Sequence, residues 1–260
     1  MEPNHDPSPP RPRARGIYLL PNLLTTGGLF GGFFAIIAAS QGRFEAACVA
    51  IFVAAILDGV DGRVARLTNT QSEFGVQYDS LADLVSFGMA PALVMYHWAL
   101  AAMKLDGATA GKIGWLAAFL YAACAALRLA RFNSQVGQVD KRWFIGLASP
   151  AAAGLMASFA WTCHEFGWSG EELRYGALAV TVVAGLLMVS RIRYTSFKGS
   201  GSGPKSDRVP FFALLIAVAV LIALWIEPPV TLLVAGTLYA LSGPLQWLRR
   251  RMLPAQDGAG

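Results

Sequence analysis

The chain has 260 residues, of which 55% are hydrophobic and only 14% are charged, whereas an ordinary soluble domain carries about 25% charged residues. This composition excludes a soluble globular domain and is typical of a protein that lies in the lipid bilayer. The formal net charge of +5 is explained by membrane topology and by attraction to anionic lipid head groups, so it indicates no nucleic-acid partner.

Eight apolar stretches follow one another along the chain, and most are close to the ~20 residues that a helix needs to cross the hydrocarbon core. They lie near residues 17–40, 44–66, 78–102, 113–133, 144–166, 174–192, 209–226 and 229–247. We therefore predict an all-α, polytopic bundle of eight transmembrane helices. The first stretch is not expected to be a cleaved secretory signal, because seven further spans follow it.

Both ends of the chain lack an apolar face. Residues 1–16 are rich in proline and arginine, so we expect a disordered basic tail there. Residues 248–260 are interpreted as a second tail.

Under the eight-span arrangement, 17 of the 21 Lys and Arg residues fall on one side, and only Arg43, Lys104, Lys112 and Arg174 fall on the other. Because cytoplasmic loops hold most basic residues, both termini are predicted to be cytoplasmic.

Four aspartates lie at the facing ends of the second and third apolar stretches. At about 100° per residue, Asp58 and Asp61 share one face of a helix, and Asp79 and Asp83 share one face of the next. A close pair of carboxylates repels by about 4 kcal/mol at an effective dielectric of 20, and bound cations remove that repulsion. The alternative is a set of solvated charges that only mark the membrane boundary.

The donor set of this segment contains oxygen and neither Cys nor His, which favours one or two Mg²⁺ or Mn²⁺ ions. Gly62 and Ala65 keep the same face thin, so that a phosphate group can approach the backbone; close packing between helices explains them equally well. Arg66 is suited to pair with phosphate, although an arginine at the membrane boundary also extends toward the head groups.

These residues and spacings resemble a known signature, D-x2-D-G-x2-A-R-x8-G-x3-D-x3-D, of the CDP-alcohol phosphotransferase family. It matches here at every fixed position, from Asp58 to Asp83. The resemblance implies a helical membrane homodimer with a six-helix catalytic core. Residues 17–200 would then form the core and residues 201–247 two additional transmembrane helices. The last two spans carry no motif of that family.

The resemblance also implies roles for the residues of the signature. Asp58, Asp61, Asp79 and Asp83 are expected to bind metal, and Asp83 is also the expected catalytic general base. A separate set of residues is expected to bind the CDP-lipid: Asn22, Thr25, Gly62, Ala65, Arg66 and Gly75.

Beyond the signature, the chain resembles the phosphatidylserine synthase branch of the family. The similar stretches are Pro21–Thr25, Arg128–Asn133, Phe144–Ala153 and Ser190–Lys198, and the departures are Ala148 and Thr195, where proline is expected. This resemblance implies CDP-diacylglycerol and L-serine as substrates, in a bacterial inner membrane with a cytoplasmic active site. The candidate serine-binding residues are Arg128, Arg131, Asn133, Arg191, Arg193 and Lys198, and the resemblance makes Arg131 with Asn133 the first choice. Anchoring at the cytoplasmic face also explains each cation.

The expected reaction is attack of the serine hydroxyl on the lipid phosphate, which displaces CMP while Asp83 accepts the hydroxyl proton. Another acceptor, such as glycerol 3-phosphate, an inositol phosphate or choline, is the first alternative. An ion-coupled transporter that uses intramembrane aspartates is a more remote one. It predicts internal repeats or broken helices and gives no reason for the fixed glycine, alanine and arginine.

Overall fold

A computed structural model describes residues 19–68, 70, 72–134, 143–195 and 211–252. Within these ranges the chain forms nine α-helices and one pair of short strands. The α-helices are α1 (Leu19–Ser40), α2 (Phe44–Leu67), α3 (Glu73–Asp83), α4 (Ala90–Trp98), α5 (Ala108–Ser134), α6 (Ser149–Glu165), α7 (Arg174–Val189), α8 (Phe211–Ile226) and α9 (Pro228–Met252). The strands are β1 (Trp143–Ile145) and β2 (Arg193–Thr195).

The predicted all-α fold is therefore almost fully correct. Within the described ranges, four helical segments are long and apolar enough to cross a membrane, and two shorter helices are apolar. The four are Leu20–Ser40, Glu73–Asp106, Ala108–Ser134 and Pro228–Arg249, and the shorter two are Arg174–Val189 and Leu214–Ile226. Two predicted spans are not among these segments: α2 carries five charged side chains, and α6 has only 17 residues. The count of six plus two spans stays a prediction.

The third segment is longer than the predicted 78–102. This segment begins with α3, continues through a π-helical turn (Leu84–Met89) into α4, and ends in a 3-10 helix, Leu100–Asp106. Ser72 caps the start of α3, because its Oγ accepts a hydrogen bond from the Gly75 amide at 3.0 Å. The π turn begins directly after Asp83, and such turns are frequent at functional sites.

Glycines on α1 allow it to pack closely against both halves of the signature. A Cβ atom on Gly31 would lie 3.2 Å from the Ala50 carbonyl oxygen of α2. A Cβ atom on Gly32 would lie 2.5 Å from the Ser86 Oγ in the π turn, so a larger residue would force the two segments apart. The first helix thus holds α2 and the third segment together, as small residues do in membrane bundles.

The two strands are a small departure from the all-α prediction. They pair antiparallel, with Phe144 opposite Tyr194, and they occupy the first residues of the predicted fifth span and the residues just after the sixth. Gly146 follows β1 with φ +81°, a conformation that favours glycine, and its amide donates to the Ile192 carbonyl at 2.8 Å. The pairing forms because α6 begins close to the point where α7 ends, so that the extended backbone before α6 lies beside the extended backbone after α7.

The two C-terminal helices differ in their surroundings, although the sequence predicts both as additional transmembrane helices. The described side chains of α8 are exposed along its whole length. By contrast, α9 packs on α6, where a Cβ atom on Gly236 would lie 3.5 Å from the Leu155 Cα. The helix also continues to Met252, into the segment 248–260 that is predicted as a cytoplasmic tail; that assignment stays a prediction. The other predicted tail, residues 1–16, lies outside the described residues.

Candidate functional site

Three carboxylates from two separate segments meet at one point. Asp58 and Asp61 lie on α2, and Asp79 lies on α3; one oxygen from each carboxylate is within 4.8 Å of the other two. Asp61 is only 4% exposed, and the other two are half-buried. A spacing of three residues on α2 makes this possible, because it leaves both side chains on the face that points toward α3.

The fourth signature aspartate, Asp83, lies beside this group of three. Its carboxyl group contacts that of Asp58 and lies near those of Asp61 and Asp79. All four aspartates line one cleft, together with Thr25 of α1 and Ser86 of the π turn. The sequence-based prediction that the four carboxylates gather at one place is therefore in agreement with the geometry.

Oxygen donors at this separation fit a divalent metal ion. Ligand oxygens at about 2.1 Å from one Mg²⁺ lie at most about 4.2 Å apart, so the observed limit of 4.8 Å needs only a small contraction. Gathering three carboxylates without a cation is costly, since each pair repels. The site can therefore hold a divalent ion, with Asp58, Asp61 and Asp79 as its protein ligands.

Thr25 connects α1 to the cluster of three aspartate carboxylates. Its Oγ1 lies 2.7 Å from Asp61 Oδ2 and 3.0 Å from the Pro21 carbonyl oxygen, so the single hydroxyl proton has two acceptors. The carboxylate is the nearer and the charged one, and charge-assisted hydrogen bonds are the stronger. Thr25, expected to contact the CDP-lipid, thus orients a candidate metal ligand.

The other predicted CDP-lipid residues lie around the same opening. Asn22 approaches α3 near Gly75, where a Cβ atom would be 3.5 Å from the Asn22 Oδ1 and 3.1 Å from the Ser72 Oγ. One turn further along α1, Thr26 Oγ1 and the Tyr78 hydroxyl are 2.8 Å apart. These contacts fix the start of α3 against α1 and leave little room for a side chain at position 75.

Gly62, Ala65 and Arg66 lie on the last turns of α2. A Cβ atom on Gly62 would be 3.6 Å from the Arg66 Nη1, so the guanidinium group lies over the glycine. Arg66 is exposed, and its charge interacts with Asp61. Ala65 is half-buried, and its carbonyl accepts from the Thr70 amide at 3.1 Å. A positive charge therefore stands next to the carboxylates, where an anionic phosphate can reach it.

Arg128 is a candidate serine-binding residue whose charge interacts with one of the four aspartates. It is half-buried on α5, and its Nη1 donates to the Ser149 Oγ at 2.6 Å. Its guanidinium group is also close enough to Asp83 for the two charges to interact. Among the described residues, its buried Nε has no hydrogen-bond partner. A cation with a free donor thus lies next to the predicted base.

The remaining candidates are spread over the same end of the bundle. Asn133 exchanges hydrogen bonds with Ser80 of α3, at 2.9 Å from its Nδ2 and 3.4 Å from its Oδ1. Arg131 is half-buried in the last turn of α5, and Arg191 is exposed just after α7. Arg193 lies on β2. Lys198 lies outside the described residues.

Sequence reasoning did not assign Ser86 or Ser149 to the site. Ser86 lines the cleft and donates to the Gly28 carbonyl of α1 at 3.0 Å. It lies three residues after Asp83 in an apolar segment, which is a signal for a buried polar role. Ser149 precedes a proline and an apolar run, a typical helix start, but its partner, Arg128, cannot be identified from that pattern.

Comparisons with known proteins agree with these features. Residues 18–190 match the CDP-alcohol phosphatidyltransferase family. A CDP-diacylglycerol–serine O-phosphatidyltransferase of Helicobacter pylori is 38% identical over 232 residues, covering 89% of this chain and 92% of that protein. One from Mycobacterium leprae is 32% identical, covering 83% and 74%. An archaetidylserine synthase of Methanothermobacter thermautotrophicus is 34% identical, covering 70% and 72%.

Proposed function

The chain belongs to the CDP-alcohol phosphatidyltransferase family, and from that premise we propose that it transfers the phosphatidyl group of CDP-diacylglycerol to the hydroxyl of L-serine, giving phosphatidylserine and CMP. The observation that carries the chemistry is the meeting of Asp58, Asp61 and Asp79 within 4.8 Å. Serine as the acceptor is supported by the names of relatives that align with most of the chain.

The proposed cofactor is Mg²⁺ or Mn²⁺, in one or two ions. A divalent ion held by Asp58, Asp61 and Asp79 would neutralise charge on the diphosphate of the lipid substrate. The six expected CDP-lipid residues keep that role as a proposal. Arg66 would pair with a phosphate oxygen, and Gly62 would let the nucleotide diphosphate approach the backbone of α2.

Asp83 is proposed as the general base. It lies next to the cluster of three aspartate carboxylates rather than within it, and it lines the same cleft. In the proposed step, the serine oxygen forms a bond to the lipid phosphorus, the bond from that phosphorus to CMP breaks, and Asp83 takes the hydroxyl proton. Positioned bases contribute typically about 10²- to 10⁴-fold to rate.

Replacing Asp83 by asparagine tests this role, because the amide cannot accept the proton. We expect kcat to fall by at least about a hundredfold, with binding of CDP-diacylglycerol retained in the presence of Mg²⁺. The measurement is CMP release together with lipid binding by the detergent-solubilised protein. If the asparagine variant kept a kcat near that of the wild type, another group would have to be the base.

The serine site is proposed on the α5 side of the cleft. Arg128 has a donor that no described residue uses, and it lies near Asp83, so it would bind the carboxylate of the amino acid while the hydroxyl faces the base. Arginine suits this role because its planar fork matches a carboxylate. The other candidates, Arg131, Asn133, Arg191, Arg193 and Lys198, are proposed as secondary contacts.

The decisive experiment is CMP release by purified protein in mixed micelles that contain CDP-diacylglycerol. We expect release to require both L-serine and Mg²⁺ or Mn²⁺, and phosphatidylserine to form in equal amount. Glycerol 3-phosphate, inositol phosphate and choline form the comparison panel, and preference for one of them would replace serine while keeping the chemistry. Metal-dependent CMP release with no acceptor preference would also count against the serine site.

Topology and assembly complete the proposal. The arrangement has eight spans, of which residues 17–200 hold the catalytic core, in a bacterial inner membrane with both termini and the active site cytoplasmic. The asymmetry of Lys and Arg supports this orientation. A homodimer is proposed from the family resemblance. Labelling of single cysteines at Arg43 and Arg249 from each side of the membrane tests the orientation, and crosslinking tests the dimer.

A further inference from the structure

A hydrogen bond between β2 and α9 depends on a proline in the middle of a helix. Pro244 lies inside α9, and a proline has no N–H to donate to the carbonyl four residues earlier. That carbonyl belongs to Ala240, and it accepts instead from the Tyr194 hydroxyl at 3.0 Å. Burial raises the pKa of Tyr194 to about 12, so the hydroxyl keeps the proton that this bond needs at neutral pH.

The neighbouring glycine makes room for the tyrosine ring. A Cβ atom on Gly243 would lie 2.5 Å from the Tyr194 Cζ and 2.6 Å from its Cε1. Tyr194 is fully buried, and its ring lies 5.6 Å from that of Tyr239. Gly243 and Pro244 together therefore form a notch on α9, which we call the Tyr194 notch: the glycine admits the ring and the proline leaves a carbonyl for the hydroxyl.

The Tyr194 notch is connected to the proposed serine site by a short path. Tyr194 pairs with Phe144 of β1, and β1 leads within four residues to Ser149 at the start of α6. Ser149 in turn accepts the hydrogen bond from Arg128. On its other side, α9 places the Tyr239 hydroxyl close enough to Arg128 to interact with its charge. Both routes thus connect α9 to Arg128.

We propose that α9 is a positioning element for the acceptor alcohol, and that Tyr194 is the positioning residue through which it holds β1, Ser149 and Arg128 in place. This inference rests on the proposed function, because it takes Arg128 as the residue that binds serine. It gives a role to a helix beyond residues 18–190, the part that matches the family. Tyr194 itself is not expected to touch a substrate.

Tyr194→Phe removes only the hydroxyl and keeps the ring. We expect the KM for L-serine to rise about three- to tenfold, the range that loss of one hydrogen bond of ordinary strength allows. The KM for CDP-diacylglycerol should stay within about twofold, because the aspartate cleft is held by α1 and not by α9. Thermal stability in detergent should also fall, since the Ala240 carbonyl loses its partner.

A second background separates positioning from plain stability. Pro244→Ala restores an N–H that can satisfy the Ala240 carbonyl within α9. In that background, Tyr194→Phe should cost little thermal stability, yet it should still raise the KM for serine, since the hydroxyl link between β2 and α9 remains absent. A purely structural role predicts that stability and the serine KM recover together. Such joint recovery would overturn the proposal.

Tyr175→Phe is the matched control, because it also removes one tyrosine hydroxyl, which donates to Asp106 at 3.0 Å and lies away from the aspartate cleft. It should leave both KM values unchanged. A serine KM that is unaffected by Tyr194→Phe, or a KM that rises equally for both substrates, would overturn the role of α9. Wild-type protein that releases no CMP in response to serine would overturn the proposed function as well, so the two failures are distinguishable.

Discussion

Replacing Thr25 by valine tests whether the contact between α1 and Asp61 controls metal binding. The two side chains have nearly the same shape, so the change removes the hydroxyl and little else. The Thr25 Oγ1 lies 2.7 Å from Asp61 Oδ2, and a hydrogen bond to a charged group contributes about 1.5–3 kcal/mol. At about 1.4 kcal/mol per factor of ten, the metal affinity should fall about 10- to 100-fold. Mutation of a hydrogen-bond partner of a metal ligand typically lowers metal affinity by the same factor, about 10- to 100-fold.

The assay is CMP release measured over a range of free Mg²⁺ concentration. We expect the half-maximal Mg²⁺ concentration to rise by that factor in Thr25→Val, with most of kcat recovered at saturating Mg²⁺. Thr25→Ser keeps the hydroxyl and is the matched control, so its Mg²⁺ dependence should stay near that of the wild type. A valine variant with an unchanged Mg²⁺ midpoint and a raised KM for CDP-diacylglycerol would refute this reasoning and favour direct contact with the lipid.

Three further predictions concern other parts of the molecule. Arg128→Lys keeps the charge but loses the planar fork, so the KM for serine should rise at least about tenfold while that for the lipid is unchanged in initial-rate assays. Gly146→Ala forces a side chain into φ +81° and toward the Met188 carbonyl, so thermal unfolding should show a loss of about 1–3 kcal/mol. Asp106→Asn weakens the ion pair with Arg174, and the midpoint of thermal unfolding should fall slightly at low salt, less at high salt, with both KM values unchanged.

The aspartate group was predictable because its geometry is local to two helices. The three-residue spacing on α2 and the four-residue spacing on α3 fix which faces carry Asp58, Asp61, Asp79 and Asp83. The sequence also predicted that these faces meet, since the connection from Leu67 to Phe74 is short enough to make the two helices antiparallel neighbours. Spacing alone could not separate Asp83 from the other three, of which one oxygen each lies within 4.8 Å of the other two.

The acceptor side was much less predictable, because its contacts join residues that are far apart in sequence. The pairing of Arg128 with Ser149 and of Tyr194 with the Ala240 carbonyl spans 21 and 46 positions. Hydropathy predicted a span at both α8 and α9, but it could not show which of the two packs on the core. The difference lies in small residues: Gly236 and Gly243 let α9 approach the core closely, as small residues do in membrane bundles.

The first helix shows why the signature segment alone does not build the site. None of the four aspartates lies on α1, yet α1 reaches both halves of the signature: Thr25 contacts Asp61 on α2, and the Gly28 carbonyl accepts from Ser86. Ser86 lies in the π turn that begins after Asp83, so the close approach of α1 to that turn holds Asp83, the proposed base, beside the aspartates that are proposed as metal ligands. Contact with α1 thus supports the position of Asp83 relative to the proposed metal site, which accounts for a glycine at position 32, where a Cβ atom would lie 2.5 Å from the Ser86 Oγ.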